Sequence, residues 1–162
     1  MGFAFDTKRE QVALIQKARP KWQAGKLNGI GGHVEENEAF PVAQQREFWE
    51  ETGVVIPANN WTAFASLIGL DWHVRCFHAF TDDVFKIRSM TDEPVALYPV
   101  KYFHELNMIN NLHYLLPLAL DDEHVGVPMF HYGVRTKKAG VGASSLEAQL
   151  DQLPLSVTTA AK

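Results

Sequence analysis

A single cysteine, Cys76, in 162 residues leaves no partner for an internal disulfide. The chain therefore carries no disulfide framework, and it fits a reducing compartment. Cys76 sits in an apolar run, where a small buried hydrophobe is the expected role, ahead of a reactive thiol. No apolar stretch approaches the roughly 20 residues of a membrane-spanning helix. The first residues, Met1 to Asp6, lack the basic segment and long apolar run of a secretory signal. They also miss the myristoylation pattern, because Asp6 stands where Ser or Thr is required. Basic charge is scarce: 15 Lys and Arg against 19 Asp and Glu give a net charge of −4. That balance argues against a nucleic-acid polymer as partner, although a metal or a few local cations could still admit a small anion. The seven His residues show no paired spacing of the zinc-ligand kind. A G-x-S-x-G elbow and a Walker lysine pattern are both missing, and Gly29 to Val34 does not complete G-x-G-x-x-G. The expectation is a soluble cytoplasmic protein without a membrane partner.

What is present reads as one α+β unit. An apolar fraction of 46% with 21% charged residues is ordinary globular composition, enough for a sound core at this length. Residues 3–5 and 11–17 read as strands around the turn Asp6-Thr7-Lys8-Arg9. Residues 18–32 form a loop rich in Gly and cations. A helix is expected over 39–52, with Pro41 in its first turn and Gly53 as its stop. Residues 63–70, 74–80 and 95–103 alternate as strands do, His78 among them. A second helix is expected from Asn110 or Asn111 to about Leu120, with a kink or early stop at Pro117. Residues 125–132 read as an edge strand broken by Pro128. These elements predict a mixed, mostly antiparallel sheet with helices on its faces over residues 1–135. Residues 136–162 read as a flexible or partner-packed tail with an amphipathic patch from Leu146 to Leu153.

The chemistry concentrates between Gly29 and Val54. On a helix, Glu47, Glu50 and Glu51 stand at i, i+3 and i+4, so their carboxylates share one face. Pro41, Val42, Phe48 and Trp49 occupy the opposite arc, which suits packing on a sheet. Three close carboxylates repel, and hard cations such as Mg²⁺ or Mn²⁺ would relieve them. Arg46 can hold a neighbouring carboxylate in a forked hydrogen bond. Clustered Glu residues are also what a solvated helix face looks like. The preceding glycines Gly29, Gly31 and Gly32 weigh against that, because they let backbone approach a phosphate or metal closely.

Gly32, Glu38, Arg46-Glu47, Phe48, Glu50-Glu51, Gly53 and Val54 fill every defined position of G-x5-E-x7-R-E-U-x-E-E-x-G-U, with U apolar. Seven fixed residues match by chance on the order of 10⁻⁹ per start position, from average composition. The chain thus resembles the Nudix hydrolases, over the 23-residue motif from Gly32 to Val54 and in strand order from Gly2 to Leu120. The resemblance implies the Nudix fold, a sheet sandwiched between α-helices. It implies a metal-dependent hydrolase cleaving a diphosphate linkage in a nucleotide-like substrate, a nucleoside triphosphate first. The implied metal ligands are Glu47, Glu50 and Glu51 with the Gly31 carbonyl, the metal Mg²⁺ with Mn²⁺ as substitute. Arg46 joins the three glutamates as the catalytic set, Glu38 orients ligands beside it, and Glu47 or a neighbour would deprotonate the attacking water.

The loop Lys26 to Gly32 is similar to that of the MutT-like branch, which acts on oxidised nucleoside triphosphates. In that branch the residue matching Asn28 can meet the nucleobase, and Glu93 matches a distal acidic metal ligand, with a plain turn residue as the alternative. The branch's base-gripping Trp and Asp pair is replaced here by Ile109, Asn111 and Leu112, which argues against oxidised-purine selectivity. Asn111 itself remains a substrate-binding candidate. Trp22 could stack on a base or lid the core. Lys26 and His33 could meet phosphate, as could Lys17, Arg19 and Lys21, or these cations are simply solvated. ADP-ribose, a nucleotide sugar, a dinucleoside polyphosphate and a non-catalytic nucleotide-binding module stay open as alternatives, as does a homodimer.

Overall fold

The computed structural model describes residues 1–124 and 126–132. The tail expected over 136–162 lies outside these residues, as does Val125 of the expected edge strand. The chain runs β1 (Gly2–Phe5), β2 (Gln11–Gln16), β3 (Leu27–Asn28), α1 (Phe40–Thr52), β4 (Thr62–Ile68), β5 (His73–Phe80), β6 (Val95–Pro99), α2 (Leu112–Leu120) and β7 (Met129–His131). The strands form one seven-stranded sheet ordered β3-β2-β1-β5-β4-β7, with β6 also paired to β2. Pairing is antiparallel except for β1 with β5 and β4 with β7, so the sheet is mixed and mostly antiparallel.

Alternation along the strands splits the core into two layers. Phe3, Phe5, Val12, Leu14, Phe64, Leu67 and Cys76 face α2 and meet its Leu112, Leu115, Leu116 and Ala119. Ala4, Ala13, Ile15, Phe77 and Ala79 face the other way, where Phe48 of α1 packs with Ile56 and Trp61. The sheet is therefore sandwiched between helices, as expected. Each buried Phe, Leu or Ile contributes about 1.5–3 kcal/mol. Cys76 is fully buried, and burial pushes its thiol up to about 11, in keeping with a hydrophobe's role.

Local chemistry sets the boundaries. The β1–β2 turn closes on Asp6, whose Oδ1 accepts the N–H groups of Glu10 and Gln11 at 2.7 and 2.6 Å. Gly53 ends α1 in the left-handed conformation (φ 72°), its N–H donating to Trp49 O. The strand expected over 95–103 stops at Pro99 and gives way to a 3-10 turn over Val100–Glu105. Asp82 to Lys86 likewise winds into a 3-10 turn capped by the Thr81 side chain. α2 runs through Pro117 without the expected early stop, its apolar residues seated on the sheet. The C-terminal strand begins only after Pro128, whose carbonyl accepts the Ser66 N–H at 2.9 Å.

The packing arc expected for α1 is corrected. Phe48 is buried, but Val42 and Trp49 are 47% and 52% exposed, and the buried set is Ala43, Gln44, Phe48 and Thr52. At 100° per residue, Glu47 and Glu51 fall between Ala43 and Phe48, on the half that faces the sheet. They are tolerated there because Glu51 accepts the Gly31 N–H of the preceding loop and Glu47 accepts from the Arg46 guanidinium.

Candidate active site

The loop between β3 and α1 passes over the carboxylates of α1. Gly31 adopts φ +145°, and its N–H donates to Glu51 Oε2 at 3.1 Å. A Cβ at Gly31 would lie 2.9 Å from Gln44 Oε1, and one at Gly32 only 2.4 Å from Glu47 Oε2. The glycines thus allow backbone to rest directly on Glu47 and Glu51, two of the three clustered glutamates of α1. Gln44 pins the loop from below, its buried amide donating to Ile30 O at 3.1 Å. This residue escaped the sequence reading; a glutamine on the buried arc of a helix is the signal that marks it.

Arg46 organises the other side. Its Nε and one terminal nitrogen fork onto both oxygens of Glu38, at 3.0 and 2.9 Å. The other terminal nitrogen reaches Glu47 Oε1 at 2.9 Å and Glu50 Oε2 at 3.3 Å. The His33 carbonyl accepts a further bond at 2.9 Å, which ties the loop to the helix. The forked bond from Arg46, helped by the Glu35 N–H, holds the Glu38 carboxyl below its ordinary range. It also raises the guanidinium further, so Arg46 is a permanent cation within the acid cluster.

Glu51 carries the electrostatic tension. Burial pushes its carboxyl up to about 7; Lys17 and the Gly31 N–H pull it down, and Glu47 and Glu93 push it up again. Glu93 is itself buried, at 6% exposure, and forms an ion pair with Lys17. Its Oε1 accepts the N–H groups of Ala18 at 2.7 Å and Arg19 at 3.3 Å. Burial alone would raise the Glu93 carboxyl, but Lys17 and these two N–H groups outweigh it and hold the group below its ordinary value.

Among the described residues, no three acidic, His or Cys side chains form a ready-made metal cage. The donors nonetheless suit a hard divalent cation. They are carboxylates, the hard oxygen ligands that such an ion takes, gathered on one helix face beside the glycine loop.

Three further candidates gather elsewhere. Trp22, Lys26 and Asn111 line one cavity of about 430 Å³ with Trp72, Tyr114 and Tyr132. The segment from Trp22 to Gly32 links this cavity to the carboxylates. Trp72, Tyr114 and Tyr132 were not singled out from sequence; Trp72 in a short hairpin turn was the legible hint. Asn28 is engaged locally, its Oδ1 accepting the Gly29 N–H at 2.8 Å and its Nδ2 donating to Gln23 Oε1 at 3.3 Å. His33 is exposed, and it is its backbone carbonyl that bonds Arg46. Ile109 and Leu112, two of the three residues expected at the base-gripping positions, are core residues at 6% and 0% exposure.

The fold is shared with solved structures. The MutT protein of Bacillus halodurans is 23% identical, with 81% of this chain and 86% of that one covered at a TM-score of 0.61. A NUDIX-family hydrolase of Clostridium perfringens is 22% identical, covering 74% and 92% at 0.58. The NUDIX domain of Shewanella oneidensis NrtR, solved with ADP ribose, is 17% identical, covering 73% and 82% at 0.56. No curated protein matches the chain. At these identities the likeness is one of fold. The family model described as NUDIX domain, however, matches residues 1–115, most of the chain and the whole of the loop-and-helix site. With every motif position filled and the loop seated on the motif glutamates, the chain belongs to the NUDIX domain family.

Proposed function

We propose that this chain is a metal-dependent hydrolase that cleaves a diphosphate linkage in a nucleotide, with a nucleoside triphosphate as substrate and pyrophosphate as a product. The observation that carries the reading is the convergence of Gly31, Glu47 and Glu51 under the glycine loop, with Arg46 braced against Glu38. A binding module would have no need of every motif carboxylate.

Glu47, Glu50 and Glu51, with the Gly31 carbonyl, are the residues that would hold Mg²⁺, or Mn²⁺ in its place. When bound, the ion neutralises phosphate oxygens and lowers the pKa of the attacking water. Arg46 fixes the carboxylate rotamers, so little is lost to reorganisation as charge develops on the phosphate. Glu47, half-buried beneath Gly32, takes the proton of the attacking water. Lys17, beside Glu51, supplies positive charge for phosphate oxygens; Glu93 keeps it in place, or leaves it to join the metal ligands. Trp22, Lys26 and Asn111 bind the nucleoside portion in the aromatic-lined cavity, with Asn28 and His33 at the loop between.

The test is product analysis with Mg²⁺, then Mn²⁺, across nucleoside triphosphates, ADP-ribose, a nucleotide sugar and dinucleoside polyphosphates. Turnover of triphosphates that Glu50→Gln abolishes supports the reading. Turnover confined to ADP-ribose or another diphosphate would keep the hydrolase and replace its substrate. Binding without turnover of any member would replace the hydrolase with a binding module.

A further inference from the structure

The aromatic cavity draws its walls from four separate parts of the chain. Trp22 comes from the loop before β3, Trp72 from the β4–β5 hairpin, Tyr114 from α2 and Tyr132 from just beyond β7. All four lie outside the segment that carries the motif glutamates, and Trp72, Tyr114 and Tyr132 are held in place. The Trp72 indole rests on Gly69, where a Cβ would come within 2.2 Å of the ring, and the Gly69 N–H donates to Trp72 O at 2.9 Å. Trp72 packs against Tyr132 at a centroid distance of 5.5 Å, and the Tyr132 hydroxyl bonds that of Tyr114. Trp22 and Trp72 nevertheless remain 66% and 44% exposed. Rings this large, exposed around one cavity and with Trp72 fixed by its neighbours, are an unused stacking surface.

The polar lining is sparse by contrast. No carboxylate is among the described lining residues; the polar side chains are Lys26, Asn110 and Asn111, beside the Tyr114 and Tyr132 hydroxyls, which bond each other. The Asn111 Oδ1 is buried without a hydrogen-bond partner among the described residues. One orphaned amide oxygen accepts one N–H. Adenine, guanine and cytosine offer that donor as an exocyclic amine, and uracil and thymine as a ring N–H. An acceptor that every base can satisfy does not choose among them, whereas a face of aromatic rings binds any planar heterocycle.

We propose that this cavity recognises the substrate's base by stacking against Trp22 and Trp72 while leaving its edge nearly unread. The substrate class is then nucleotides of any base, purines ahead of pyrimidines because they stack over more area, and ordinary and C8-oxidised purines alike. The inference rests on the nucleotide reading above and deepens it. Trp72 becomes the residue that sets affinity for the base.

The experiment compares kcat and KM for ATP, GTP, C8-oxidised GTP, CTP, UTP and ribose 5-triphosphate, which carries the phosphates without a base. Expected are kcat/KM values within about tenfold across the base-bearing compounds, with the base-less compound weaker through KM. Trp72→Ala should raise KM for every base-bearing substrate by about 5- to 100-fold, the range that one stacking contact supplies. It should thereby collapse their advantage over ribose 5-triphosphate, and Trp72→Phe should recover most of it. Selection of one base by a thousandfold or more, or an unchanged KM in an active Trp72→Ala variant, overturns the inference and leaves the hydrolase standing. If no compound is turned over, the hydrolase reading fails by itself. Quenching of tryptophan fluorescence by nucleoside monophosphates then decides the cavity: base-independent quenching that weakens in Trp72→Ala supports it, and no quenching overturns it.

Discussion

Lys17 and Glu93 form an ion pair nearly sealed from solvent, their side chains 19% and 8% exposed, at the point where β2 leaves the sheet. The pair joins a strand end to the loop before β6, and Coulomb coupling from both of its members reaches Glu51 of α1. It stabilises the site's geometry and sets the charge around the motif glutamates together.

Breaking such a pair costs more than deleting it, because a buried charge is left without its counterion. Lys17→Met strands the Glu93 carboxylate on the Ala18 and Arg19 N–H groups and should destabilise the metal-free protein by about 3 kcal/mol. Glu93→Gln keeps an oxygen for those N–H groups and should cost about 1–2 kcal/mol. The double variant should lose less than the sum, since neither charge is then stranded. Urea unfolding at neutral pH checks all three; strict additivity would mean that the two side chains do not interact.

Arg46 makes a planar fork that lysine cannot imitate. Arg46→Lys keeps the charge but loses the two bonds to Glu38 and the tie to the His33 carbonyl. Misplaced supporting groups typically cost 10- to 100-fold in metal affinity or activity, and a loss in that range is expected. Circular dichroism should be unchanged. A metal titration of activity separates a weaker metal site from a slower step at saturating metal.

Much of this arrangement was legible in the sequence, because it is local. Helix start and stop at Pro41 and Gly53, the acid triplet and the arginine fork depend on residues within a few turns of one another. What was not legible depends on contacts distant in the chain. The outward face of Trp49 is set by where the sheet lies. The cavity joins residues from position 22 to position 132, which no periodicity relates. The pairing of Glu93 with Lys17 spans 76 residues. Pro99 shows the opposite case: a strand stop readable from chemistry, lost because the apolar pattern continued to Phe103.

Gly31 and Gly32 should respond differently to a methyl group. At Gly31 the added Cβ meets the Met1 backbone at 3.1 Å and the buried Gln44, on a φ of +145° that L residues avoid. Gly31→Ala should therefore lose stability, by about 1–3 kcal/mol, as well as activity. At Gly32 the obstacle is the end of the Glu47 side chain, which can swing away. Gly32→Ala should keep its thermal midpoint within a few degrees and lose activity at least tenfold, about what displacing one orienting contact costs. Equal stability losses in the two variants would contradict this assignment.

The Glu51 carboxyl, raised by burial to about 7 from an ordinary 4.5, makes both stability and activity depend on pH. Between those values the folded, metal-free chain holds a proton that the unfolded chain has released. Stability in chelator should thus be greatest at the acid end, fall as pH rises from 4.5 towards 7, and level off above. A bound cation needs the ionised carboxylate, so metal and proton compete. At limiting Mg²⁺, activity should rise with pH through about 7. Saturating metal should move that acid limb to lower pH, because binding energy then drives the proton off. In Glu51→Gln the chelator-state fall in stability should vanish, since a neutral amide has no proton to release. Activity that rises through 7 at the same pH whatever the metal concentration would assign the limb to another group.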